Sequence, residues 1–436
     1  MNIRKLAVSL LAEYELGGKY VNLSLSSHML DSLSREERAA LTALLYTTVE
    51  RKLTYDYYIS ALSKRAAEDI EPHTRNLLRI GLCQIADMAS IPDFAAVNET
   101  VKLARNPGER SFVNGVLRAA VRAKESLPLP DKDKNYRRYL SVKYSFPLPL
   151  VKLFDSILGK DGTEALLSYY NTEKYTDLAV NTLKISVKDY LVLLKERGIE
   201  ASVDEITGIS VRIPHSVNPE YLPGFSDGLF FVQDRACTIS AFALAPKPGE
   251  TVIDVCACPG GKSFAAAIIM GDGGNISSYD LHESKLSLIE SGAERLGVKS
   301  LTAMQCDART PKEELFGKAD RVICDVPCSG LGVLSKKPDL RYKSEESIAA
   351  LPSLQLEILC ESAKYLKVGG TLIYSTCTLN TAENEDVVND FLSQNHGYAT
   401  EDFSVGELCS KAGALTLYPH ISKTDGFFIA KIKREK

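Results

Sequence analysis

Residues 252–269 read VIDVCACPGGKSFAAAII. A hydrophobic run ends in Asp254, passes through two cysteines, a proline and two glycines, and enters a run of helical composition. A phosphate loop needs Gly-x-x-x-x-Gly-Lys-Ser/Thr, and counting back from Gly261 puts Cys256 where the first glycine belongs. That signature therefore fails. A zinc site needs a second Cys or His pair, and Cys256 and Cys258 stand only one residue apart with no such pair downstream. No metal is expected.

A third reading works outward from the same loop. From about residue 225 the chain alternates strand-like runs (TVIDVCA, NISSYDL, SLTAMQCDA, RVICDVP, GTLIYSTCTL) with helical stretches such as SKLSLIESGAERLG and LPSLQLEILCESAKYL. Alternation of this kind predicts right-handed crossovers and a doubly wound parallel sheet. Ligands of such sheets bind beyond the carboxyl ends of the strands. Asp254, Asp280 and Asp307 fall at three successive strand ends. Gly260 and Gly261 let backbone approach a ligand closely, and the following helix start offers unpaired N–H groups. An acid at Asp280 can accept both hydroxyls of a ribose, and one at Asp307 can bond an adenine amino group. A Rossmann-like methyltransferase holds S-adenosylmethionine in this way.

The fourth strand end carries Asp325, Pro327 and Cys328 in CDVPCSGLGVL, and the fifth carries Cys377 in YSTCTLNTAENE. Both thiols are expected over the cofactor cleft. The C5 carbon of a pyrimidine is a poor nucleophile. A thiolate that adds to C6 makes C5 enamine-like, which is covalent catalysis. Asp325, if it holds a proton, is placed to promote the addition at ring N3, and a second cysteine can help remove the C5 proton or eliminate the first.

The rest of the chain suggests an order of domains. Residues 1–130 show apolar spacing of short, close helices, as in a compact bundle. Residues 131–144, rich in proline and charge, read as a linker. Residues 145–222 alternate helix and strand as a small α/β unit, and residues 223–436 form the Rossmann-like domain. The chain has 436 residues and a formal net charge of −4, so no global basic field marks a nucleic-acid partner. Any such surface is local, and its candidates are Arg105, Arg110, Arg118, Arg122, Lys124, Arg137 and Arg138. Glu13 and Glu15 interrupt the apolar start, which reads as an amphipathic helix, and no apolar run is long enough for a membrane span. A cytoplasmic monomer is expected. Nine of the ten cysteines lie between Cys237 and Cys409, so no small-domain disulfide framework is present.

Three motifs together resemble the RNA 5-methylcytosine methyltransferase family: Cys256 to Lys262, Asp325 to Gly330 and Tyr374 to Cys377. FFVQDRAC (Phe230 to Cys237) and KKPDLRYK (Lys336 to Lys343) resemble further family motifs. FAAVNETVKLAR (Phe94 to Arg105) and FVNGVLR (Phe112 to Arg118) look like the helical RNA-binding domain named after the antitermination factor NusB. The resemblance covers nearly the whole chain and implies three parts: an all-α NusB-like bundle, a small ferredoxin-like or RRM-like α/β unit, and a Rossmann-like class I methyltransferase domain. It implies methylation of one cytosine in small-subunit ribosomal RNA, with Cys377 as nucleophile and Cys328 assisting release. Contacts to S-adenosylmethionine are implied from Cys256, Ala257, Cys258, Pro259, Gly260, Gly261, Lys262, Asp280, Asp307 and Asp325. The chain departs from the family at Cys258, where alanine is common, and at Ala179, where arginine is frequent.

Overall fold

The computed structural model describes residues 2–17, 32–172, 175–310 and 312–436. Its chain forms two compact units, one of Met1–Asn171 with Lys337–Tyr342 and one of Thr172–Lys336 with Lys343–Lys436.

The first unit is helical: α1 (Ile3–Gly17), α2 (Arg35–Glu50), α3 (Lys52–Ser63), α4 (Pro72–Ala86), α5 (Asp93–Val101), α6 (Pro107–Arg122) and α7 (Tyr136–Tyr144), with α8 (Leu148–Thr172) broken at Gly159. Local chemistry sets several starts. Ser34 and Glu37 form a capping box at α2, Glu71 caps α4 ahead of Pro72, and Asn106 caps α6 ahead of Pro107. The core is built on Leu41, Leu45, Tyr55, Leu77, Leu78, Val113 and Leu117. Gly81 lets α4 and α6 close, because a Cβ there would stand 2.6 Å from Leu117. The charge-rich stretch 131–144, read as a linker, contains α7. Leu140 and Val142 of that helix are buried, and its last turn accepts bonds from Arg51 (2.8 Å) and Thr54 (2.5 Å). The run of charges marked the exposed face of a helix. Arg341, from the 337–342 segment, is fully buried in this unit, where it donates to Asn171 (2.8 Å) and stacks on Phe146.

The second unit holds two main sheets. The smaller is antiparallel, ordered β2 (Ser202–Val203), β3 (Ser210–Ile213), β1 (Thr176–Val180), β4 (Phe230–Val232), with helix α9 (Val187–Glu196) between β1 and β2 in the chain. Its fourth strand lies in FFVQDRAC, which the sequence groups with the larger domain. The larger sheet contains β5 (Thr251–Asp254), β6 (Asn275–Asp280), β7 (Leu301–Gln305), β8 (Ala319–Asp325) and β9 (Leu366–Thr376), mutually parallel, with β14 (Phe427–Arg434) antiparallel to β9. Their order is β14-β9-β8-β5-β6-β7, with β10 (Tyr398–Thr400) and β13 (Ala414–Leu417) both on β14, while β11 (Ser404–Val405) and β12 (Leu408–Cys409) form a separate two-stranded sheet. From β5 the chain winds out to β6 and β7, then returns to β8 on the other side of β5. The switch point therefore lies between the carboxyl ends of β5 and β8, at Asp254 and Asp325.

Candidate active site

Helix α10 (Arg235–Leu244) precedes β5, and α11 (Gly261–Ile269) follows it. Between β5 and α11 lies the loop 255–260. Gly260 adopts φ +107°, and a Cβ there would stand 2.4 Å from the Phe264 ring, so the turn demands glycine. No side chain caps α11. Asp254 is buried, accepts a bond from Ser263 (2.7 Å), and is pushed up to about 7 by burial. The loop cysteines are separated: Cys256 packs against a cluster including Ile253 and Val255, Cys258 against one including Ala257 and Phe264. Burial pushes both thiols up.

Asp280, at the end of β6, is buried and accepts the backbone N–H of His282 (3.0 Å). Asp307, just past β7, is half-buried and held by the Arg309 guanidinium (2.6 Å), which lowers its carboxyl below the ordinary value. Lys262, in the first turn of α11, reaches across the switch point. Its ammonium donates to Asp325 Oδ2 (2.6 Å), while Ser375 donates to Oδ1 (2.7 Å). Asp325 thus accepts at both oxygens. Attraction to Asp325 and Cys237 outweighs burial and holds the lysine charged.

The two strand-end thiols meet. Cys328 Sγ lies 3.2 Å from Cys377 Sγ, although the residues are 49 apart in sequence. Cross-links hold their turns together: Ser329 Oγ to Thr378 Oγ1 (2.8 Å), Gly332 N–H to Cys377 O (2.9 Å), and Ser329 N–H to the buried Glu383 carboxylate (2.8 Å). Gln355 donates to Pro327 O (2.9 Å) and to Glu383 (3.0 Å), and Lys343 donates to Ser329 O (3.0 Å). The Cys377 thiol is pushed well up, chiefly because Cys328 bonds it and because it is buried, with Lys262 opposing. Glu383 and Gln355 escaped the sequence reading; the only signal of Glu383 was its place in TAENE after the cysteine motif. A further network, Lys336 with the buried Asp234 (2.5 Å) and Asp425 (2.8 Å), anchors the start of KKPDLRYK.

The residues expected at RNA belong to the helical unit. Arg118 and Arg122 are exposed on α6, Lys124 pairs with Asp93 (2.8 Å), and on α7 Arg137 pairs with Asp155 (2.5 Å) while Arg138 is exposed. Glu71, His73 and Glu109 form a cluster of metal-ligand type, but their carboxylates already accept from Thr74 and Arg105. Among the described residues no helix is long and apolar enough to cross a membrane.

A parallel sheet with acids at successive strand ends, a glycine turn and an uncapped helix start defines an S-adenosylmethionine-dependent methyltransferase. The loop fits the cofactor on two local grounds: its backbone is bare at Gly260 and Gly261, and the buried Gln233 beside it has an amide without a partner. Family models match along the chain: the NusB family over 1–122, the RsmF/B-like ferredoxin-like domain over 146–218, and the 16S rRNA methyltransferase RsmB/F family over 241–433. The chain is 34% identical over 449 residues to the probable ribosomal RNA small subunit methyltransferase B of Bacillus subtilis, covering 100% of this chain and 99% of that protein. It is 36% identical over 447 residues to the protein of that name from Synechocystis, covering 100% of both. The crystal structure of PH0851 superposes with a TM-score of 0.79 at 25% identity, covering 100% of this chain and 99% of that one. The chain belongs to the 16S rRNA methyltransferase RsmB/F family.

Proposed function

We propose that this enzyme methylates C5 of one cytosine in small-subunit ribosomal RNA through a covalent Cys377–C6 adduct. The apposition of Cys328 and Cys377, 3.2 Å apart beside the Lys262–Asp325 pair, carries this reading. When bound, S-adenosylmethionine supplies an electrophilic methyl group. Cys377, as thiolate, adds to C6, and the Lys262–Asp325 pair supplies the proton or hydrogen bond at N3. C5 becomes nucleophilic and takes the methyl. The C5 proton then leaves to a base, the S–C6 bond breaks with its electrons returning to Cys377, and any proton taken up at N3 goes back to the Lys262–Asp325 pair; Cys328 assists this release. Attack on C6 comes from above or below the ring, so the base leaves its stack.

In this function the helical N-terminal unit brings RNA to the methyltransferase domain. The enzyme acts in the cytoplasm as a monomer. Arg118, Arg122, Lys124, Arg137 and Arg138 contribute phosphate contacts. Charge reversal at Arg118 and Arg122 is expected to weaken RNA binding and flatten its salt dependence; unchanged affinity and slope would remove this surface. Bisulfite sequencing of ribosomal RNA from a deletion strain and from its complemented parent tests the reaction. One protected cytosine in the small-subunit RNA, lost on deletion, is expected. Loss of protection in transfer RNA instead would replace the substrate.

A further inference from the structure

Gln233 sits between β4 and α10 and is 6% exposed. Its backbone N–H donates to Asp177 O (3.2 Å), and Asp234, the next residue, caps α10 and pairs with Lys336. The residue is thus held on both sides, yet Oε1 and Nε2 of its side chain are buried without a hydrogen-bond partner. A buried primary amide that bonds nothing is unfavourable, and native interiors rarely keep one. Its position suggests the missing partner. A Cβ built on Gly261, the first residue of α11, would stand 3.3 Å from Gln233 Oε1. The amide therefore borders the helix start that no side chain caps.

An uncapped helix start favours an anion through its N–H groups and dipole. The cation on that first turn, Lys262, is committed to Asp325 at 2.6 Å. An anion bound there is left to backbone N–H groups and neutral donors. We propose that Gln233 is a binding residue for the amino-acid end of S-adenosylmethionine: Nε2 donates to its α-carboxylate at the start of α11, and Oε1 accepts from its α-ammonium. This rests on the loop being the cofactor site. It adds a contact from the FFVQDRAC motif, outside the loop itself.

Calorimetric titration of the full-length protein tests it, with S-adenosylmethionine, S-adenosylhomocysteine and decarboxylated S-adenosylmethionine as ligands. Gln233→Met keeps the length and removes both polar atoms. It is expected to weaken the first two ligands by about 10-fold to 100-fold, the range for hydrogen bonds to charged groups. The loss for the decarboxylated ligand should be at least about threefold smaller. Gln233→Asn, which retains the amide on a shorter stem, covers the case in which the Met variant fails to fold, and should show the same pattern. Affinity for S-adenosylmethionine within about twofold of wild type in a folded variant overturns the proposal, as does an equal loss for all three ligands. A wild-type protein that binds none of the three overturns the cofactor reading along with it, whereas wild-type binding with an insensitive Gln233 variant overturns this contact alone.

Discussion

Cys256 and Cys258 share one turn, with a single residue between them. Cys328 and Cys377 belong to different turns, 49 residues apart. In space the relation inverts. The first two point into different packing clusters, while the second two touch through their sulfurs at 3.2 Å. The loop thiols fill volume around a backbone shaped for a ligand. The strand-end thiols are tied to each other by Ser329–Thr378, by Gly332 to Cys377 O, and by the Glu383 carboxylate. A shared turn places side chains on opposite sides of the chain, but adjacent parallel strands such as β8 and β9 deliver their ends to one place.

This contrast can be broken most sharply at Cys377. Cys377→Ser should lower single-turnover methyl transfer by about 10³-fold or more, since a covalent nucleophile is lost. Cofactor affinity, read by calorimetry, should stay within about twofold because the loop is untouched. Methyl transfer near the wild-type rate would end the assignment. Cys328→Ala should next trap the adduct, lowering turnover by about 10²-fold, with a slow protein–RNA band on a denaturing gel. Full turnover without that band would show that the two sulfurs need not cooperate.

The pH profile gives the third effect. Cys377 is pushed up, so it is a thiol at neutral pH, and the attacking thiolate becomes more abundant as pH rises. The single-turnover rate should climb about tenfold per pH unit below that ionisation. A flat profile from pH 6.5 to 8.5 would argue for a thiolate already formed in the complex. The smallest effects belong to the loop. Cys258→Ala should change the rate less than about twofold, and Cys256→Ala should cost about 1 kcal/mol of stability from lost packing. A large rate loss in Cys258→Ala, with cofactor binding intact, would mean that the loop thiols join the chemistry.

Much of the site was legible before the fold was known. Alternating strand and helix patterns are local, and the strand-end rule turns them into a short roster of polar residues. Asp280 and Asp307 were picked out this way, since Asp280 closes β6 and Asp307 lies two residues past β7. Positions that depend on neighbours were not legible. Segment 131–144 looked like a linker because its charges face water on α7, while Leu140 and Val142 are too few to show a helical stripe. Strand β4 was assigned to the larger domain because its pairing with β1 joins residues far apart in the chain. Gln233 was visible only as part of FFVQDRAC and Glu383 only by its place in TAENE, since amides and carboxylates usually lie at the surface and composition does not mark the buried ones.

Sequence alone determined the class of fold, the glycine turn at Gly260, and the acids and thiols available at the strand ends, because each follows from local periodicity and backbone stereochemistry. Tertiary structure decided which of those groups act as pairs. Lys262 meets Asp325 across 63 residues of chain, and Cys328 meets Cys377 across 49. Charge sharing and thiol ionisation depend on separations of a few ångströms. Those separations are set where β5, β8 and β9 lie side by side, which no single stretch of the sequence contains.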